Sequence, residues 1–250
     1  MMPNYDLESA AAAVAPFKWY QKRWGRAIII AVVVMAALLV VSSWLMIDLM
    51  LKVARQSGSA QSGIEKVLSG EEVARARQLA EKTDRPYLGN LEAKLVVVEF
   101  GDFKCPFSGQ EFSVIRGLIN KYKDDILLIY RHFPIYKNSA QLAQAAWCAQ
   151  EQDKFWPLHD RLFFSQDQEL SDDALKQLAQ QAGVDLKKFN ACVASKKYEG
   201  RVTEDATDGQ ALGVRGTPTF FINGIKVEGV VTLEDWEKII RKYEATINSQ

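Results

Sequence analysis

Within residues 99–110, EFGDFKCPFSGQ, one cysteine stands three places before a serine, in Cys105-Pro106-Phe107-Ser108. The spacing is that of Cys-x-x-Cys, the dithiol arrangement that makes and breaks disulfides through a mixed disulfide, but the second sulfur is replaced by a hydroxyl. A hydroxyl can donate a hydrogen bond and cannot attack a disulfide, so a single thiol must carry the chemistry. Proline suits the first position of a helix, which makes Cys105 the N-cap. Unpaired backbone N–H groups and the positive end of the helix dipole then face the sulfur and favour thiolate over thiol. Ser108 falls one turn in, where its N–H or hydroxyl is expected to donate to that sulfur. Upstream, Glu99 is the charged residue in the run LVVVEF. A carboxylate inside a strand covered on both faces costs several kcal/mol unless it is paired or protonated. Glu99 is therefore either a buried acid that relays protons to the sulfur or a strand-end side chain in solvent.

Other reactive side chains are few. His132 in YRHFPI ends a strand and His159 in WPLHDRLF lies on an amphipathic helix, and neither has a neighbouring cysteine or serine in sequence to activate. Both are expected to be core residues. Cys105, Cys148 and Cys192 lack metal-ligand spacing, so no metal site and no cofactor are expected. Lys+Arg and Asp+Glu balance at 31 each, and no basic patch interleaves with aromatics, which argues against nucleic acid as a partner.

The elements that must position these residues follow from hydrophobic pattern. LVVVEF (95–100) and DILLIY (125–130) are unalternating runs, as expected of strands buried on both faces. Between them a helix places Phe112, Ile115, Ile119 and Tyr122 on one face, giving a parallel crossover unit. Residues from about 139 to 213 carry only helical signals, including a Ser171 cap before DDALKQLAQQAG. TFFI and KVEGVV flank Asn223-Gly224, a tight-hairpin signal. A last helix opens at Thr232 with Leu233, Trp236, Ile239, Ile240 and Tyr243 directed to the core. The expected order is βαβ, helical insertion, ββα.

Taken in this order, GN (89–90), VVVEFGDFKCPFS (96–108), YRHFP (130–134), KFWPLHDRLF (154–163) and GVRGTPTFFING (213–224) resemble the DsbA-like thioredoxin-fold oxidoreductases. The resemblance covers about Asp84 to the C-terminus and implies an α/β thioredoxin fold with an inserted helical block. By position it makes Cys105 the nucleophile, Glu99 the buried acid, and Thr217-Pro218 the loop whose cis-proline faces the sulfur. It also implies a substrate surface of Pro106, Phe107, Thr217 and Pro218, with an extended chain gripped by sheet-edge pairing. Ser108 departs from the family pattern, which has a resolving cysteine there, so release of a mixed disulfide calls for a foreign thiol. Cys148 and Cys192 are, by their residues alone, either two buried thiols or a bridge. Relatives that carry a second disulfide in this region favour the bridge, which leaves Cys105 free. The expected partners are proteins with thiols or disulfides and an external recycling thiol. The rival expectation is a redox-silent module that holds peptides or a partner in the groove beside Pro218.

The N-terminal region bears on location. Ala27 to Ile47 is uncharged throughout, and as a helix it would extend about 31 Å, matching a bilayer core. Lys18, Lys22, Arg23 and Arg26 precede it against Asp6 and Glu8, and Lys52 and Arg55 follow, an asymmetry that leaves the N-terminus in the cytoplasm. The expected organisation is a cytoplasmic segment (1–26), a transmembrane signal anchor (27–51), a tether and stalk helix with Ile64, Val67, Leu68 and Leu79 (52–83), and an extracytoplasmic domain (84–250) in the periplasm or on the outer face. Cleavage near Gly58-Ser59-Ala60 is the competing reading.

Overall fold

The computed structural model describes residues 23–58, 69–168 and 170–248. The segment 1–22, Ser59-Ala60 of the competing cleavage site, and Ile64, Val67 and Leu68 lie outside the described residues. The chain divides into two units, Met1–Glu65 and Lys66–Gln250.

In the first unit, helix α1 runs over Arg23–Gly58. It continues past residue 51, where a tether was expected, because after Arg26 the first glycine or proline is Gly58. Taken over the described residues, no helix is long and apolar enough to cross a membrane. The anchor reading thus stays with the sequence run and is taken up below as a proposal.

The second unit is built on a five-stranded sheet in the order β1-β3-β2-β4-β5. The strands are β1 (Tyr87–Gly89), β2 (Leu95–Gly101), β3 (Ile126–His132), β4 (Thr219–Ile222) and β5 (Ile225–Glu228). Every residue of β2 and β3 is buried; the two pair in parallel across the crossover helix α3, Pro106–Lys121. Strand alternation divides β2 between two layers. Leu95 and Val97 pack with Ile115, Leu118 and Ile119 of α3 and with Trp236 and Ile240 of α9 (Leu233–Asn248). Val96, Val98 and Phe100 pack on the other side with Ala76 and Ala80 of α2, Gly70–Ala80. Helix α2 opens with a reciprocal Ser69–Glu72 capping box and belongs to this layer. The folded unit therefore takes in residues that lie before 84. The edge strand β1 pairs antiparallel with β3; three residues are too few to show a period, so it was not expected.

Helices α4 (Ser139–Gln150), α5 (Phe155–Phe164), α6 (Asp172–Gln181), α7 (Leu186–Ala194) and α8 (Glu199–Ala211) form the insertion. Cys148 of α4 and Cys192 of α7 are disulfide-bonded, with their Cα atoms 5.8 Å apart. The β4–β5 hairpin turns on Asn223 and Gly224, with φ of 47° and 85°, the left-handed pair that a two-residue hairpin of primed type needs. A buried ion network closes α8 on the sheet. Asp205 Oδ1 accepts from Arg85 Nε at 2.7 Å and Arg131 Nε at 2.6 Å, and Arg131 also donates to the last carbonyls of α2, Leu79 O and Ala80 O.

Candidate functional site

Cys105 is the N-cap of α3 and Pro106 is its first residue. The sulfur is free and buried, the residue being 2% exposed. Sγ donates to Thr217 O at 3.0 Å, and the Thr217–Pro218 peptide is cis. The strand order makes this contact: β2 ends at Gly101 beside β4, which begins at Thr219, so the loop after β2 meets the loop before β4. Ser108 is fully buried, but its hydroxyl accepts from Asp102 N at 3.5 Å and forms no bond to the sulfur. Cys105 also makes no side-chain cap hydrogen bond, so neither the hydroxyl nor the N–H of Ser108 donates to the sulfur, which corrects that expectation. Phe107 stands exposed at 59% beside the buried thiol, and Pro218 is buried. A groove of about 290 Å³ runs along Arg215, Gly216, Thr217, Pro218, Thr219, Glu228 and Gly229.

The cysteine loop is fastened from two sides by residues that sequence reasoning passed over. Asp102 Oδ2 accepts from the backbone N–H groups of Ile135 and Tyr136 at 2.6 and 3.0 Å. Its Oδ1 accepts from Lys104 N at 2.8 Å and from the Ser139 hydroxyl. From the insertion, Gln166 Nε2 donates to Cys105 O at 2.7 Å and Phe103 O at 3.0 Å. Gly109 permits that approach, since a Cβ there would meet Gln166 Oε1 at 2.0 Å. An aspartate directly after a strand is the local signal that could have marked Asp102. Gln166 has none.

Glu99 is 2% exposed, which removes the solvated alternative. Burial, with the charge of Glu111 adding to it, raises its carboxyl from 4.5 to about 8. Glu111 was not foreseen. It is fully buried in α3, and its carboxylate accepts from Trp236 Nε1 at 2.7 Å and Val231 N at 2.8 Å. Tyr130, the register partner of Glu99 on β3, has a buried hydroxyl without a hydrogen bond. Its phenol is raised well above 10, first by burial and then by the charges of Glu99, Asp102 and Cys105. Tyr130 thus senses both the acid and the sulfur. Gly101 makes room for it: a Cβ there would lie 2.4 Å from the Tyr130 hydroxyl.

The two histidines sit in the aromatic core, 1% and 2% exposed. Burial, with smaller effects of His159, Arg131 and Arg85, depresses His132 to about 3. Burial also lowers His159, although its Nδ1 pairs with Asp160 at 3.0 Å. The fold brings Cys105, Ser108, Thr217 and Pro218 together and places Phe107 at their rim. It sets Glu99 in the layer between β2 and α3, and Cys148–Cys192 in the insertion. Among the described residues no group of acidic, histidine or cysteine side chains could hold a metal ion.

A thiol at a helix N-cap facing a cis-proline loop, on a sheet with a parallel β2–β3 centre, defines a thioredoxin-fold protein. The family model described as Thioredoxin matches residues 81–242, and the chain belongs to that family. Among solved structures it is similar to the thiol-disulfide exchange protein α-DsbA2 of Wolbachia pipientis, at 24% identity and a TM-score of 0.64, covering 69% of this chain and 94% of that one. It is also similar to oxidised BdbD of Bacillus subtilis, at 26% identity and a TM-score of 0.58, covering 63% and 91%. The fold is that of the DsbA-like thiol-disulfide oxidoreductases. Among curated proteins, the Na(+)/H(+) antiporter NhaA 1 of Mycolicibacterium vanbaalenii is 37% identical over 170 residues, 65% of this chain and 27% of that protein. The chain spans about a quarter of the length of the curated relatives it matches.

Proposed function

We propose that this chain is a membrane-anchored, extracytoplasmic thiol:disulfide exchange protein that acts on protein thiols and disulfides through Cys105 alone. An external thiol clears the mixed disulfide. The observation that carries this reading is the 3.0 Å contact between Cys105 Sγ and Thr217 O at a cis-proline loop. A sulfur held there lies against a backbone to which an extended substrate can pair, with the exposed Phe107 as an apolar contact for its side chains. In exchange, the Cys105 thiolate attacks one sulfur of a substrate disulfide, and the other sulfur leaves with the electron pair and takes a proton. Ser108 has no sulfur with which to attack the mixed disulfide and expel the substrate thiol. A second thiol from solution or from a partner protein must attack the adduct, returning Cys105 and carrying the substrate sulfur away. Residues 27–51 are the proposed single-pass anchor, oriented by the cations before it, with the domain beyond the cytoplasm.

A second reading is favoured by two observations: Cys105 is only 2% exposed, and no second free thiol accompanies it. On that reading the groove beside Pro218 binds peptides or a partner without redox chemistry. The test is reaction of the full chain in detergent with a peptide disulfide. Exchange predicts a reducible adduct on Cys105 that persists until an external thiol is added and is absent from Cys105→Ala. If no adduct forms while the peptide still binds, the redox-silent reading holds.

A further inference from the structure

Glu99 and Glu111 are two carboxyl groups in one dry layer. Glu99 follows Leu95 and Val97 at strand alternation, so it faces α3 and α9 with them. Glu111 precedes Ile115 by one helical turn, and Ile115 packs in the same cluster. A run of neighbours leads from one carboxyl to the other. Phe220 of β4 is in register with Glu99, its ring meets Trp236 edge-on at 5.0 Å between centroids, and Trp236 donates to Glu111.

The two carboxyls are furnished unequally. Burial raises the Glu111 carboxyl above 4.5, but its two N–H donors oppose that and stabilise the charged form. The Glu99 carboxyl has no hydrogen-bond partner among the described residues. Two like charges in low dielectric do not ionise together readily, so the better-solvated group loses its proton first. The other titratable neighbour is Tyr130 from β3, kept neutral by burial. Beyond it lie Cys105 and Asp102 of the loop, which act on the same phenol, and His159 of α5, whose ring centroid is 4.8 Å from that of Tyr130. β4 and α9 present Phe220 and Trp236 to the pair.

We infer that Glu111 is a positioning residue whose clamped carboxylate carries the negative charge of this buried pair and so keeps the pair's single proton on Glu99 at neutral pH. The inference rests on the exchange reading for its use. The proton so held lies one strand from Tyr130, the register partner of Glu99, whose phenol is raised by the charges of both Glu99 and Cys105.

The test is a carboxyl-carbon NMR titration of the full chain in detergent, labelled at glutamate Cδ, in wild type, Glu99→Gln and Glu111→Gln. In wild type Glu111 should ionise first and Glu99 later. Glu111→Gln should lower the Glu99 midpoint by about 1 pH unit or more, while Glu99→Gln should leave the Glu111 midpoint nearly in place, because Glu99 is neutral when Glu111 ionises. Ionisation of Glu99 before Glu111, or an unmoved Glu99 midpoint in Glu111→Gln, overturns the inference. Should Glu111→Gln not fold, the order of ionisation in wild type decides alone. Carbon shifts report protons and not disulfides, so a chain that never formed an adduct on Cys105 would still return this order.

Discussion

Replacing Glu99 with glutamine should remove a loss of stability that the wild type suffers as pH rises toward and above neutral. In the folded chain burial, with Glu111 adding to it, lifts the Glu99 carboxyl from 4.5 to about 8. The unfolded chain keeps the lower value, so between those limits the folded state binds more protons and loses stability as pH rises. Each pH unit in the window withdraws about 1.4 kcal/mol. Between pH 5 and 7.5 the loss attributable to Glu99 is about 3 kcal/mol, a large fraction of the 5–15 kcal/mol that ordinarily holds a domain together. The amide of Glu99→Gln, itself buried, adds a penalty that does not vary with pH, so the slope is the quantity to read. Urea unfolding of both proteins, followed by tryptophan fluorescence at several pH values from 5 to 8, measures it. The stability of Glu99→Gln minus that of wild type should rise by about 3 kcal/mol from pH 5 to 7.5. A difference that stays constant over that range would refute a proton held on Glu99.

Two further substitutions probe the site and its frame. Ser108→Cys places a thiol one turn after Cys105, and the lifetime of a peptide adduct on Cys105, measured by non-reducing mass analysis, should fall roughly tenfold or more because attack becomes intramolecular. Asp205→Asn strips the shared counter-charge from the buried Arg85 and Arg131 and should destabilise the chain by about 3–5 kcal/mol in urea, with Arg131→Met in the same background recovering part of the loss.

How much of this was legible in the sequence depends on whether the signal is local. β2 and β3 announced themselves as unbroken apolar runs because both faces are covered. The Asn223-Gly224 hairpin was legible because few other dipeptides accept two consecutive positive φ angles. Pro106 marked the start of α3 and hence the N-cap. Glu99 was visible as an anomaly, and only the packing of β2 against α3 and α9 decided between core and solvent. Glu111 was there to be seen in the same way, as a charge one turn before Ile115 on an apolar face, but its two donors, Val231 and Trp236, come from more than a hundred residues away. The clasp of Arg85 and Arg131 on Asp205 is equally non-local, and no spacing along the chain encodes it. Ser108 shows the limit of position alone: the third helical position placed it near the sulfur, while the orientation of Asp102 N set its hydrogen bond.

The central claim is that Cys105 exchanges disulfides with proteins and waits for another thiol to be released. It is tested most directly by quenching native membranes with acid, alkylating free thiols, and identifying by mass spectrometry what is disulfide-linked to Cys105. Protein or small-thiol adducts on Cys105, removed by reductant and absent from Cys105→Ala, are the predicted result. A Cys105 found wholly as the alkylated free thiol, in membranes where Ser108→Cys also forms no adduct or internal disulfide, would contradict the account.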